Sequence, residues 1–199
     1  MWKLEAFRGH EVPDLVGPDL KLLFVGINPG LWTAAVQTHF AHPTNRFYPA
    51  LAAAGITEYE VDRVAGMTDA DRAHLMARGV GITNLVRRAT ARASELSREE
   101  LREGGERLQR FVAEHRPAVV AIAGISAYRD AFGERSAVLG RQPETLDSAA
   151  HWSGAALWAV PNPSGLNAHE TLATLAAAYA APAAEAGVIA ARYLTQILL

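Results

Sequence analysis

The sequence predicts an α/β fold, a single domain with a central parallel sheet flanked by helices on both faces. Three observations carry that expectation. Continuous apolar runs at 21–26, 118–123 and 155–160 have the length and content of strands covered on both sides. The segments between them carry helical spacing and helix-start signals, so strand and helix alternate, as parallel neighbours require. The 199 residues, 50% of them apolar, suffice for one substantial core and are too few for two full domains.

Taken in order, the first run is Lys-Leu-Leu-Phe-Val-Gly at 21–26, which ends in a turn-rich segment and so delivers a functional loop at its carboxyl end. Residues 45–54 space Phe47, Tyr48 and Leu51 as a helix, with Gly55 placed to close it. Thr68, followed three positions on by Asp71, opens another helix that Gly79 ends. Ser97 with Glu100 forms a capping box ahead of Leu101, Leu108, Phe111 and Val112. That long helix runs to about His115 and stops before Pro117, although Gly104 and Gly105 within it weigh against helix. The runs at 118–123 and 155–160 supply the second and third strands, the latter entering Pro161 and Asn162. Two alanine-rich helices close the chain, at 171–180 and 184–199, with a break at Pro182. Neither an internal repeat nor a linker divides the chain. In such a sheet, ligands bind beyond the carboxyl ends of the strands.

Composition narrows the chemistry. The absence of cysteine excludes disulfides, thiolate zinc sites, thiol nucleophiles and cysteine-held iron–sulfur clusters. The charged start, with Lys3, Glu5 and Arg8, supports neither a secretory signal nor a membrane span, and the expectation is a cytosolic protein. A net charge of −2 and a pI near 6.4 give no basic footprint for a polyanion. Arginines do cluster at 87, 88, 92, 98 and 102, which could make one face locally positive or merely a solvated helix face.

Three segments stand out for chemistry. Gly26-Ile27-Asn28-Pro29-Gly30 sits where a strand becomes a loop, and its glycines let backbone amides approach a ligand. Taken alone, Asn28 before a proline is a common turn former. The stretch from His39 to Tyr48 gathers aromatics and hydrogen-bonding groups ahead of a helix. Its histidines, without a neighbouring carboxylate or third ligand, make a weak metal site and are read as packing and polar structure. Residues 161–167 (Pro-Asn-Pro-Ser-Gly-Leu-Asn) form a rigid polar turn with Leu166 at its tip. Such a leucine either wedges between bases or folds back as a staple. Competing readings fare worse. The turn at 26–30 is neither a dinucleotide fingerprint nor a P-loop, and Gly124 to Tyr128 lacks the second glycine of a nucleophile elbow. A non-catalytic DNA-binding module would keep the wedge without needing Asn28.

Four motifs in order, Gly-Ile-Asn-Pro-Gly-Leu at 26–31, Phe-Ala-His-Pro-Thr-Asn-Arg-Phe at 40–47, Gly-Ile-Thr-Asn-Leu-Val at 81–86 and Asn-Pro-Ser-Gly-Leu at 162–166, resemble the mismatch-specific uracil-DNA glycosylase and thymine-DNA glycosylase family. The likeness covers about 12–180. It implies that Asn28 orients the attacking water, that the flipped base stacks on Phe40, and that Ile27 and Phe40 offer backbone groups to the pyrimidine edge. Asn84 then faces the base as in thymine-type members, where bacterial uracil-type members tend to carry lysine. Thr33 would narrow or polarise the pocket near the pyrimidine 5-position. Ser164, Gly165 and Leu166 match the intercalating loop with Leu166 as wedge, and Asn167 departs from the serine and arginine usual there. The resemblance implies a monomer acting on double-stranded DNA that contains uracil or a mismatched or damaged pyrimidine, with no metal, no cofactor and no membrane partner.

Overall fold

The computed structural model describes residues 3–144 and 151–191. Five strands form one sheet in the order β2-β1-β3-β5-β4. They are β1 (Leu22–Gly26), β2 (Val80–Asn84), β3 (Val119–Ala123), β4 (Gly140–Arg141) and β5 (Ala156–Val160). β1 pairs in parallel with β2 on one side and β3 on the other, and β3 pairs in parallel with β5; the short β4 is antiparallel at the edge. Six described helices pack around the sheet: α1 (Leu31–Val36), α2 (Phe47–Ala53), α3 (Asp69–Ala77), α4 (Arg98–His115), α5 (Ile125–Phe132) and α6 (Leu172–Glu185).

Strand periodicity sorts the helices. Leu22, Phe24, Val80, Ile82, Val119 and Ala121 point to a core shared with Leu51 of α2, Leu75 of α3 and Tyr179 of α6. The intervening Leu23, Val25, Val120 and Ile122 point to the opposite core, with Leu108 of α4 and Tyr128 of α5. β1, β2 and β3 are buried along their whole length, as a parallel sheet covered on both faces demands.

The three strands expected from apolar runs form within a residue of their predicted limits. β2 escapes a hydrophobicity reading because Gly81, Thr83 and Asn84 interrupt it, yet it is a full partner of β1. A Cβ on Gly81 would lie 2.6 Å from Leu20 and 2.9 Å from the Leu15 carbonyl, since the chain around Leu15 bridges to Ile82 across the outer edge. Both predicted capping boxes form, at Thr68 with Asp71 and at Ser97 with Glu100. The break expected at Pro182 is absent. α6 runs on to Glu185, with Tyr179, Ala180 and Ala183 fully buried, and packing outweighs the one hydrogen bond that proline removes. The chain turns instead at Gly187, in the left-handed region. The helix expected at 184–199 is therefore not a separate element over its first residues, and 192–199 lie outside the described residues.

Gly104 and Gly105, which argue against helix in isolation, let α4 lie close against the segment after β2 and against α5. A Cβ at Gly104 would stand 2.5 Å from the Leu85 carbonyl, and one at Gly105 would stand 3.0 Å from that of Ala131. Helix propensity alone makes Gly104→Ala stabilising by about 1 kcal/mol. The contact reverses the sign. Gly104→Ala is expected to lower stability by about 1–3 kcal/mol in urea melts, and a stabilised variant would show that α4 has room to move.

Candidate active site

Because β1, β2, β3 and β5 run parallel, their carboxyl ends, at Gly26, Asn84, Ala123 and Val160, share one edge of the sheet. The chain crosses from β1 to β2 on one side and then to β3 on the other, so the crevice beyond β1 is the switch point of the sheet. The four sequence motifs meet there. Leu85 and Val86 donate to the carbonyls of Gly26 and Ile27, and Thr90 to that of Pro29. Arg46 donates to the carbonyl of Pro163. The carbonyl of Ile27 is thus engaged by Val86, and its side chain packs beside Gly124.

Asn28 is half-buried, and its amide nitrogen faces three acceptors: Thr90 Oγ1 at 2.7 Å, the Arg88 carbonyl at 3.1 Å and the Pro29 carbonyl at 3.2 Å. The Thr90 hydroxyl gives its own proton to the Arg92 carbonyl at 2.8 Å, so it can only accept from Asn28. All three neighbours are acceptors, which fixes the amide orientation and leaves Oδ1 as the group turned away from them.

Gly26 brings the other two motifs together. A Cβ there would meet Asn84 Oδ1 closer than 3.0 Å and the Phe40 ring at 3.0 Å. The missing side chain is filled by these two groups. Phe40 stacks on Phe47 with centroids 4.1 Å apart and planes at 25°. Its φ of 55° is a left-handed value rare for a bulky residue, with a cost of about 1–3 kcal/mol. Its neighbours hold it there. Tyr48 donates to the His39 carbonyl at 2.9 Å, and the Ala41 N–H donates to Thr33 Oγ1 at 3.3 Å. Thr33 therefore acts first on the backbone of the Phe40 turn.

Asn84 is nearly inaccessible, and its Nδ2 lies 3.0 Å from His39 Nδ1. His39 Nε2 lies 2.9 Å from the Pro13 carbonyl, which can only accept. The imidazole proton therefore sits on Nε2, Nδ1 is the acceptor, and Asn84 donates to it. Burial lowers the His39 pKa, in keeping with a neutral ring. The resemblance turns Asn84 toward the base; in the structure its nitrogen gives one hydrogen to His39, while Oδ1 lies over Gly26. Arg107 also donates to the Asn84 carbonyl, so both ends of the residue are held.

The 162–167 turn folds on itself. Ser164 N–H donates to Asn162 Oδ1 at 3.0 Å, Leu166 N–H to Ser164 Oγ at 3.3 Å, and Asn167 Nδ2 to the Asn162 carbonyl at 3.0 Å. Gly165 lies against Thr44, and Leu166 is 93% exposed. The staple alternative for Leu166 is thereby excluded. The arginine cluster does not form a bare positive face: Arg87 pairs with Glu11 and Asp14, Arg88 with Glu100, and Arg98 with Asp130. No group of metal-binding residues occurs among the described residues, and no described helix is long and apolar enough to cross a membrane. A cavity of about 820 Å³ beside α4, α5 and β4 is lined by none of the motif residues.

The family model for the uracil DNA glycosylase superfamily matches residues 13–183. The chain belongs to the uracil DNA glycosylase superfamily. Its fold is similar to the solution NMR structure of a Methanosarcina acetivorans protein provisionally described as a uracil DNA glycosylase, with a TM-score of 0.53 and 15% identity over 86% of this chain and 98% of that one. Membership supports a DNA glycosylase, a hydrolase of DNA repair. Sequence reasoning missed Thr90 and left His39 and Arg46 without named partners; all three act by orienting other residues. The pairing of His39 with Asn84 spans 45 positions and leaves no local pattern.

Neutral His39 yields a pH signature. Its folded pKa lies below the ordinary value of about 6.5, so the unfolded chain binds the extra proton first. The stability it contributes is complete above 6.5 and is lost as the pH falls toward the folded value. Asp14, Arg72 and Arg87 supply the charges acting on it. Between about pH 7.5 and 5.0, Tm of the native protein is expected to fall more than that of His39→Gln, which does not titrate. Identical pH profiles would mean that the His39 pKa does not change on folding.

Proposed function

We propose that this protein is a uracil-DNA glycosylase of the mismatch-specific type, which flips uracil or a related pyrimidine out of duplex DNA and hydrolyses its N-glycosidic bond. The observation that carries the reading is the Asn28 amide, whose nitrogen is saturated by protein acceptors so that Oδ1 is free to accept a hydrogen bond from water. An amide cannot remove the water's proton near neutral pH, so it works by placement. The glycosidic bond then breaks largely before attack, and an oxocarbenium-like sugar accepts a poorly activated nucleophile.

The flipped base stacks on Phe40, whose far face is backed by Phe47, and presents its edge to Asn84 above Gly26. With Oδ1 over Gly26 and one Nδ2 hydrogen still free, Asn84 offers both an acceptor and a donor, the complement of a uracil imide edge. Backbone N–H groups and this amide hold the leaving anion as in an oxyanion hole. Without a carboxylate base, excision depends on the acidity of the departing base. That favours uracil and pyrimidines with electron-withdrawing 5-substituents over normal thymine.

Asn28→Ala is expected to bind a uracil duplex as the native protein does while losing on the order of a hundredfold in single-turnover excision; a loss within a few-fold would remove Asn28 from the chemistry. Leu166 is assigned to the space left in the stack, where it offsets an unstacking cost of about a few kcal/mol. Leu166→Ala is expected to slow excision from duplexes more than from single strands, and equal losses would give Leu166 no part in base flipping.

A further inference from the structure

The loop that carries Leu166 is held by one side chain from another motif. Arg46, the residue before α2, donates through its guanidinium to the carbonyls of Ser164 at 3.0 Å, Asn167 at 2.8 Å and Glu170, and its own N–H donates to Pro163 at 3.0 Å. Its acceptors thus run from 163 to 170, along the connection between β5 and α6. Its Nε is buried without a partner among the described residues, so the planar fork is committed to this loop. On another part of the loop, a Cβ at Gly165 would stand 2.5 Å from Thr44 Oγ1 and 2.7 Å from the Thr44 carbonyl, and His42 Nδ1 lies 2.9 Å from that hydroxyl.

A leucine that is 93% exposed gains nothing from its own packing. Its position comes from the backbone that bears it, and that backbone is fixed before any DNA arrives. Ordering a loop at the moment of binding is costly, and a loop already ordered avoids that cost.

We infer that Arg46 is a positioning residue that pre-organises the 163–170 loop so that Leu166 enters the base stack. The inference rests on the glycosylase reading and deepens it. Lysine keeps the charge but, as a single ammonium on a flexible stem, cannot bridge carbonyls spread over seven positions.

The test measures single-turnover uracil release from a duplex and from the matching single strand, for native protein, Arg46→Lys, Leu166→Ala and the double variant. Arg46→Lys is expected to lower the duplex-to-single-strand rate ratio about tenfold, equivalent to about 1.4 kcal/mol. Combined with Leu166→Ala, it should add little, because both act through one event. Equal losses on the two substrates, or losses that multiply in the double variant, overturn the inference while leaving the glycosylase reading in place. Native protein that releases uracil from neither substrate overturns both. Should Arg46→Lys melt early, Gly165→Ala carries the same test from the Thr44 contact, with Arg46 intact. It should lower the same ratio, and an unchanged ratio in a folded Gly165→Ala protein counts against pre-organisation.

Discussion

The site depends on the absence of a side chain at Gly26. At the carboxyl end of β1, between β2 and β3, a single Cβ would take the volume that the Asn84 amide and the Phe40 ring share. Everything else in the crevice is arranged around that shared space. β2 brings Asn84 to it in register, since Gly26 and Asn84 are paired Cα partners. The chain after α1 brings Phe40 to it by accepting a left-handed backbone, with Tyr48, Thr33 and Phe47 holding the turn. Any side chain at position 26 would force two elements apart at once. Packed interiors accommodate such changes poorly.

Proton direction gives the crevice its chemical character. Nitrogen atoms are turned toward the protein at both asparagines: Asn28 toward Thr90, Arg88 and Pro29, and Asn84 toward His39. Each orientation is enforced by an acceptor that has no alternative, because Thr90 has spent its proton on Arg92 and His39 has spent its on Pro13. The oxygen atoms, and at Asn84 the second Nδ2 hydrogen, are the groups left over. Acceptors arranged this way hold a water or an imide N–H without any ionised side chain, and a buried neutral histidine is what such a network needs. Glu100, whose pKa falls to about 2 beside Arg88, shows where the carboxylates are used instead: in surface pairs that hold the loop after β2.

Much of this was legible in the sequence because it is local. Apolar runs marked three of the strands, and capping boxes marked α3 and α4. Motif order marked Asn28, Phe40, Asn84 and Leu166 at the crevice. What escaped depends on contacts between distant positions. β2 looks weak because glycine and threonine interrupt it, and it is a strand because β1 and the Leu15 bridge enclose it. α5 lies between two glycines in the left-handed region, Gly124 and Gly133, which set its ends without advertising its interior. Pro182 stays helical because the core holds its neighbours. His39 reads as packing and polar structure, and Arg46 as one residue of a motif, until their partners 45 and about 120 positions away are in place.

The arginines resolve the conflict between an acidic protein and a polyanionic partner. Three of the five in the 87–102 cluster are paired with carboxylates, so that cluster adds little unpaired positive charge. Affinity built on counterion release would need many free cations. The residues at the crevice offer something else: an exposed leucine on a fixed turn, an aromatic platform and oriented amides. The leucine, on the proposed reading, fills the stack while the platform and the amides receive the extruded base, and discrimination rests on shape and hydrogen bonding rather than on charge. On the proposed reading, the protein therefore relies less on general attraction to DNA than on the ease with which a base is extruded. A poorly paired base is the least costly to extrude, and the proposed mismatch preference is in keeping with that dependence.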